Sequence, residues 1–159
     1  MEEEPVLRTA EFADVNVMAL FRRLMFAEMD EQEQLGYDPV ELGLMEAVIR
    51  EHLRAHLGED VRGWVITVAG RIVAAAAVSV LPTVPAPGRL DMRWALLHNV
   101  YVLPEFRRRG LARRLVETAR DWCRAEGFTR LSLNSSQAGR PLYEAMGFHP
   151  TNQMSLDLR

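Results

Sequence analysis

The chain has 159 residues, of which 48% are hydrophobic, and its formal net charge at pH 7 is -3. This length predicts one domain, residues 1–159, with a single buried core, and the slightly acidic charge argues against nucleic acid or an anionic membrane as a partner. The acidic start is unlike a secretory leader, no apolar run is long enough to span a membrane, and the single Cys123 cannot form an internal disulfide, so we expect a cytoplasmic protein.

The first half of the chain begins with a strand pattern and two helix patterns. Residues 5–10 predict a short strand, and Asp14 is a candidate N-cap for a helix that runs to about Met29. A second helix is better marked, because Asp38 supplies an N-cap, Pro39 fits the first helical position and Gly58 ends the segment. Its expected core face consists of Leu42, Met45, Ile49 and Leu53.

A β-hairpin and a third long strand follow. Residues 64–69 and 72–81 are apolar and rich in β-branched residues, and Gly70-Arg71 between them predicts a hairpin turn. Residues 83–89 contain prolines and must form a loop, because proline cannot donate a hydrogen bond to a strand ladder. Residues 93–102 predict the next strand.

The last third of the chain changes to helical spacing. Apolar residues recur at intervals of three and four from Leu111 onward and predict an amphipathic helix that ends near Gly127. A strand at residues 130–134, a short helix at 141–146 and a final strand at 153–158 complete the pattern. This order of elements predicts a mixed α/β fold.

The loop between the long strand and the amphipathic helix is the candidate functional site. It places Arg107, Arg108, Arg109 and Gly110 directly before the first helical residues. A helix start leaves about four backbone N–H groups without partners and favours a bound anion, while small residues such as Gly110 and Ala112 let a phosphate approach the backbone. The arginines would attract a polyanionic ligand such as coenzyme A. A solvated surface run, a nucleic-acid patch or a cap on the preceding strand would also explain them.

Two motifs resemble those of the GCN5-related N-acetyltransferases, the GNAT family. The run Arg107–Ala112 is similar to the family signature Q/R-x-x-G-x-G/A, and Gly139–Phe148, GRPLYEAMGF, resembles its closing LYExxGF block. The resemblance implies an α+β GNAT fold: a mixed central sheet of six to seven strands, with helices on both faces, splayed between strands 4 and 5. Those strands correspond to residues 93–102 and 130–134. The resemblance also implies acetyl-CoA as the cofactor, bound in the splayed gap.

The resemblance assigns a set of cofactor-binding residues. They are Tyr101, Val102, Arg107, Arg108, Arg109, Gly110, Leu111, Ala112, Arg113, Asn134, Ser136 and Tyr143. The backbone of Val102 would polarise the thioester carbonyl and hold the pantetheine arm, because Leu103-Pro104 interrupts the strand and leaves backbone groups unpaired. Ser136 stands where many members have an asparagine, and Asn134 lies two residues earlier, so this contact departs from the family pattern.

Three residues are candidates for the catalytic chemistry: Tyr143, His98 and Asn99. Tyr143 matches the family tyrosine that protonates the departing thiolate of coenzyme A, and an unperturbed pKa of about 10 suits a donor at neutral pH. Its alternative role is an aromatic anchor. The glutamate base of the family's histone-modifying branch corresponds to Leu96, so that base is absent. His98 and Asn99 lie nearby and could act directly or through water, and a structural role is the alternative for His98.

The segment from Leu24 to Ile49 is acidic and contains no basic residue. As a substrate wall it would favour a cationic amine, whereas a solvated helix face is the alternative interpretation. Glu28 and Asp30 within it are further candidates for the base. His52 and His56 stand one helical turn apart, but without a third ligand we expect no metal site.

These features together predict an enzyme, an acetyl-CoA-dependent N-acyltransferase that acetylates a primary amine by direct attack in a ternary complex. The acceptor is a small-molecule or peptide amine whose identity the sequence leaves open, and the resemblance implies a homodimer. A domain that binds acyl-CoA for regulation, without turnover, is the alternative, because the strand glutamate is missing.

Overall fold

The computed structural model describes residues 3–159. Its helices and strands, in chain order, are β1 (Val6–Thr9), α1 (Val15–Glu33), α2 (Pro39–His56), β2 (Val61–Val68), β3 (Arg71–Pro82), β4 (Arg93–Val102), α3 (Leu111–Ala125), β5 (Leu131–Leu133) and α4 (Arg140–Ala145). Short 3-10 turns precede α1 and follow β4. This order confirms the predicted mixed α/β class. Within the described residues, no helix has both the length and the apolar character needed to cross a membrane.

The strands form one mixed sheet in the order β1-β2-β3-β4-β5. Neighbours from β1 to β4 run antiparallel, whereas β5 lies parallel to β4. The pairing of β4 with β5 ends where Leu97 faces Leu133, while β4 continues to Val102 with no strand partner on that side in the described part of the chain. The two strands therefore splay apart, and a gap opens between them.

The prediction of six to seven strands is wrong, because the sheet of residues 3–159 has five. One missing strand is the predicted one at residues 153–158, where no regular structure forms. Met154, Leu156 and Leu158 alternate as in a strand, yet they are 93%, 82% and 90% exposed. Alternating apolar residues define two faces of a segment, but a strand also needs a neighbouring strand with free hydrogen-bonding groups. Because β5 is only three residues long, it offers few such groups.

Helices cover both faces of the sheet and create two hydrophobic clusters. On one face α3 contributes Leu111 and Leu115, which are buried against β2, β3 and β4. On the other face α1 and α2 contribute Met18 and Leu53. Ala74–Ala77 of β3 alternate between the two clusters and are fully buried. Their small side chains let helices pack closely on both faces of this central strand.

The sequence markers of α2 are confirmed. The carboxylate of Asp38 caps the helix by accepting the N–H of Val40 at 2.9 Å, and Pro39 occupies the first helical position. The expected core face is confirmed in full only for Leu53, which is completely buried. Its other members, Leu42, Met45 and Ile49, are half-buried. The reason is that α2 packs mainly against α1 and only its last turns approach the sheet.

Candidate active site

The gap between β4 and β5 leads into a cavity of about 460 Å³. Residues of α1, α2, β3, β4, α3, β5 and α4 line it, together with the loop after β5. The cavity brings together six of the residues that were assigned to catalysis or to the cofactor: His98, Asn99, Ala112, Asn134, Ser136 and Tyr143. The other residues assigned to the cofactor lie outside this lining, at the end of β4, in the loop after it and at the start of α3: Tyr101, Val102, Arg107, Arg108, Arg109, Gly110, Leu111 and Arg113.

A larger cavity of about 820 Å³ lies along β5. Part of its wall comes from the chain after α4, including Phe148 and Gln153. Asn134 and Tyr143 border both cavities. A ligand that extends through the gap from one cavity to the other would therefore contact Tyr143.

The start of α3 leaves its backbone N–H groups accessible. Gly110 is the N-cap, takes a left-handed conformation with φ 75° and supplies no capping side chain. A Cβ built at Gly110 would meet no atom within 4 Å, so the space around this residue is open. Arg108 is also left-handed, with φ 61°, and curls the loop before the helix. A phosphate can therefore approach the uncapped N–H groups of the first turn.

The arginines of the loop differ in what they contact. Arg107 donates through Nη2 to Glu28 at 2.7 Å and through Nε to the carbonyl oxygen of Val102 at 2.9 Å. Arg113 pairs with a glutamate one turn further along α3, at 3.1 Å. Arg108 is exposed. The Val102 carbonyl, which the sequence assigns to the pantetheine arm, is therefore engaged by Arg107.

Tyr101 and the two acidic candidates for the base have structural partners. The Tyr101 hydroxyl donates to Glu28 at 2.5 Å, and burial together with this carboxylate raises the pKa of Tyr101 well above its ordinary value of 10.0. Asp30 accepts the backbone N–H groups of Gly36 and Tyr37. Neither Glu28 nor Asp30 lines the cavity between β4 and β5. The proposal of either carboxylate as the base therefore finds no support.

A β-bulge in β4 decides which residues face the cavity. His98 pairs with Ala77 and Tyr101 pairs with Ala75, so two residues of β4, Asn99 and the next one, stand opposite one residue of β3. Asn99 takes a left-handed conformation with φ 57°. The extra residue reverses the alternation, so that His98 and Tyr101 both lie on the side of α1 and α2. A regular strand would place residues three apart on opposite faces.

His98 belongs to a chain of hydrogen bonds on the cavity wall. The side-chain oxygen of Asn99 accepts from Arg22 Nη1 at 2.6 Å and from His98 Nδ1 at 3.1 Å. Because an amide oxygen only accepts, His98 carries its proton on Nδ1, and Nε2 accepts from the Ser79 hydroxyl at 2.7 Å. Burial lowers the pKa of His98 to about 4, so its ring is neutral at pH 7. The basic nitrogen of His98 therefore faces Ser79.

Tyr143 is held in place by its neighbours in and after α4. Its ring meets that of Phe148 edge-on at 5.7 Å between centroids, and a Cβ at Gly139 would lie 3.0 Å from it. The Ser136 hydroxyl accepts the N–H of Gly139 at 3.0 Å, which fixes the start of α4. Burial raises the pKa of Tyr143. The phenol is therefore protonated at neutral pH, as a proton donor must be.

Three polar residues of the cavity were not indicated by the sequence: Ser79, Ser135 and Arg22. Ser79 is a single hydroxyl in the otherwise apolar run of β3, and that contrast could have drawn attention to it. Arg22 stands next to Arg23 in α1, and nothing in the local sequence distinguishes the arginine that turns inward. His52 also lines the cavity and stacks on His56 at 4.5 Å. Residues 3–159 contain no cluster of three metal-ligating side chains.

Comparison with known proteins relates the chain to a family of acetyltransferases. The model of the Acetyltransferase (GNAT) family matches residues 21–148. Glucosamine 6-phosphate N-acetyltransferase of Trypanosoma brucei brucei is 33% identical over 90 residues, which are 56% of this chain and 59% of that protein. Aminoglycoside N(6')-acetyltransferase type 1 of Acinetobacter baumannii is 32% identical over 63 residues, 38% of this chain and 43% of that protein. The chain thus spans less than two thirds of the curated relatives it matches.

Solved structures match over nearly the whole chain. A GCN5-related N-acetyltransferase from Ralstonia eutropha has a TM-score of 0.88 and 27% identity, covering 98% of this chain and 99% of that one. A predicted acetyltransferase with acetyl-CoA, from Clostridium acetobutylicum, has a TM-score of 0.83 at 18% identity and covers 98% and 97%. The second likeness shows the fold alone.

Proposed function

The chain belongs to the Acetyltransferase (GNAT) family, and from this premise we propose that residues 1–159 form one domain that transfers the acetyl group of acetyl-CoA to an amine. In this proposal the protein is an acetyl-CoA-dependent N-acyltransferase. The acetyl group passes directly to a primary amine while both molecules occupy the site.

The observation that carries the proposal is the open start of α3 beside the splayed strands. Gly110 leaves space in front of uncapped N–H groups, and the gap between β4 and β5 continues from there into the cavity. We assign the pyrophosphate of acetyl-CoA to the backbone of residues 107–112, with Arg108 and Arg113 as charged neighbours. Asn134 and Ser136, on the opposite side of the gap, are proposed to contact the pantetheine arm.

Bound acetyl-CoA supplies a thioester, which the acceptor amine attacks. We assign to Tyr143 the proton that the departing thiolate receives, because the phenol borders both cavities and burial keeps it protonated. The backbone of Val102 is proposed to polarise the thioester carbonyl and to hold the pantetheine arm. Arg107 already donates to the Val102 carbonyl at 2.9 Å, and the second lone pair of this oxygen is left for the pantetheine arm.

The amine must lose a proton, and Ser79 with His98 offers a route for it. The Ser79 hydroxyl lines the cavity and donates to His98 Nε2. Asn99 fixes the ring so that this nitrogen remains an acceptor. Since the pKa of His98 is about 4, the ring is a weak base. We therefore expect the rate to rise with pH until the acceptor amine itself is deprotonated.

The names of the relatives guide our proposal for the class of acceptor. One relative carries glucosamine 6-phosphate in its name and the others carry aminoglycosides. Both are small molecules with an amine on a sugar ring. We therefore propose a small-molecule amine, ahead of a peptide amine, as the acceptor. The cavity of about 460 Å³ has the size of a small-ligand site.

Calorimetric titration of acetyl-CoA into the wild type and two tryptophan variants tests the cofactor site. Gly110→Trp places a bulky side chain at the open start of α3. Gly127→Trp is the matched control, because Gly127 follows the other end of α3 with φ 83° and also has no atom within 4 Å of a Cβ. We expect micromolar binding that is lost in Gly110→Trp and kept in Gly127→Trp. Equal affinity in all three proteins would contradict the assignment.

A domain that binds acyl-CoA without turnover is the second candidate. Two observations favour it: Leu96 stands where the family glutamate is expected, and the basic nitrogen of His98 is occupied by Ser79. Measuring thiol release with a panel of amines separates the two functions. Cofactor binding without thiol release for any amine would support the second candidate.

The homodimer is a further proposal. The exposed apolar residues Met154, Leu156 and Leu158 at the chain end are a surface that a second copy would cover. Light scattering of the full chain and of a Met154→Ser, Leu156→Ser, Leu158→Ser variant is the test. A dimer that persists in the variant places the contact elsewhere, and a monomeric wild type contradicts the proposal.

A further inference from the structure

Arg22 brings a positive charge to the cavity wall without a carboxylate beside it. It lies on α1, and no aspartate or glutamate of the described residues forms an ion pair with it. Its neighbour Arg23 differs, since Arg23 pairs with Glu46 at 3.4 Å. Burial lowers the pKa of Arg22, because desolvation disfavours the charged guanidinium. A half-buried guanidinium of this kind is stabilised by an anion.

The geometry of Arg22 leaves donors available. Nη1 donates to Asn99 at 2.6 Å, and the guanidinium carbon lies 5.1 Å from the centre of the Phe26 ring. Among residues 3–159, no acceptor is hydrogen-bonded to Nε or Nη2. Asn99 and Phe26 thus hold the guanidinium from two sides. The remaining N–H groups form the planar fork that binds a carboxylate or phosphate through two hydrogen bonds.

The rest of the cavity contains no charge that would oppose an anion. Of the described residues, no aspartate or glutamate lines it. Three acidic residues of the segment 24–49, which the sequence analysis considered as a substrate wall, have partners outside this cavity. Glu28 binds Tyr101 and Arg107, Asp30 caps the turn after α1, and Glu46 pairs with Arg23. The expectation of an acidic wall that attracts a cationic amine therefore does not apply to this cavity.

We propose that Arg22 is an anion subsite for the acceptor, so that the substrate is an amine that also carries a phosphate or carboxylate group. This inference rests on the proposed function and specifies its substrate class. Arg22 lies on the α1 side of the cavity, whereas Tyr143 and Ala112 border the cofactor side. An acceptor anchored at Arg22 would direct its amine across the cavity toward the thioester.

Matched pairs of acceptors test the subsite through thiol release. One pair is glucosamine 6-phosphate and glucosamine, and the other is an amino acid and its amide, so that the two arms distinguish phosphate from carboxylate. In the wild type we expect kcat/KM to favour the anionic member of at least one pair by 10-fold or more. Arg22→Gln should raise KM for that member by about 10- to 100-fold, as loss of charge-assisted hydrogen bonds predicts. The uncharged member should change far less.

Two variants control for structural effects. Arg23→Gln removes the neighbouring charge, which points away from the cavity to Glu46, and should leave the preference intact. Arg22→Lys keeps the charge but not the fork and should recover part of the affinity. A wild type that prefers the uncharged member of both pairs, or a polycationic aminoglycoside, overturns the inference. Equal losses for both members of a pair in Arg22→Gln overturn it too.

Measuring the binding of the acceptors, without catalysis, tests this inference separately from the proposed function. If no amine is acetylated, the proposed function fails, but calorimetric titration of glucosamine 6-phosphate and of the amino acid still tests Arg22. Binding that Arg22→Gln weakens at least 10-fold, with unchanged acetyl-CoA affinity, supports the anion subsite. Absence of binding by both anionic compounds, or binding that is the same in Arg22→Gln, contradicts it.

Discussion

Replacing Asn99 by glycine and by alanine tests the bulge that shapes the cavity. Asn99 is 1% exposed, has a φ of 57° and makes three side-chain hydrogen bonds: with Arg22 at 2.6 Å, with His98 at 3.1 Å and with the Met18 carbonyl at 3.4 Å. Both variants lose the three bonds. Only alanine must also place a Cβ in the left-handed region.

The expected magnitudes follow from these contacts. Each lost hydrogen bond contributes about 1 kcal/mol, so we expect each variant to lose about 2–3 kcal/mol of unfolding free energy. The left-handed backbone adds about 1 kcal/mol to the loss in Asn99→Ala. For a chain of this size, 1 kcal/mol corresponds to roughly 2–4 °C in Tm. Asn99→Ala should therefore melt about 2–4 °C below Asn99→Gly.

Thermal unfolding followed by circular dichroism measures this difference. The matched pair Asn152→Gly and Asn152→Ala is the control, because Asn152 is exposed and is not among the left-handed residues. Alanine should be at least as stable as glycine at that position. If Asn99→Ala were as stable as Asn99→Gly, the left-handed bulge would not be the conformation of β4 in solution. Both Asn99 variants should also bind an anionic acceptor more weakly, since Asn99 positions Arg22.

Three further predictions concern packing and pH. Gly63→Ala places a Cβ 2.9 Å from Met18 Cε and 3.0 Å from Ala10 Cβ, so urea denaturation should show a loss of about 1–3 kcal/mol, and an unchanged midpoint would contradict this close packing. The hydrogen bond from Arg8 lowers the pKa of Asp14, so the charged carboxylate stabilises the fold at pH values above its ordinary pKa of 3.8. This stabilisation is lost as pH falls below that value. Asp14→Asn should therefore have a smaller unfolding free energy at neutral pH, and that free energy should fall less on acidification. Burial lowers the pKa of His98 from 6.5 to about 4, so unfolding free energy should fall as pH drops from 6.5 to 4, and an equal fall in His98→Gln would disprove this assignment.

The features that the sequence predicted correctly are those that residues close together in the sequence determine. The Asp38 cap of α2, the span of β4 and the amphipathic α3 follow from local hydrogen bonding and from periodic apolar residues. The loop before α3 was found for the same reason, because an arginine-rich turn with Gly110 at a helix start needs only adjacent residues to form. Family membership also followed from two such local motifs.

Contacts between distant residues were decided by the tertiary structure. The pairing of β3 with β4 creates the bulge at Asn99, and this bulge determines which side chains of β4 face the cavity. Arg107 and Glu28 are 79 positions apart, so their ion pair has no local signal. Residues 153–158 do not form the predicted strand, because alternating apolar residues alone do not provide a neighbouring strand with free hydrogen-bonding groups. Arg22 and Arg23 are adjacent arginines that the local sequence does not distinguish. The packing of α1 on the sheet directs only Arg22 into the cavity, because the burial of a side chain depends on residues that are distant in the sequence.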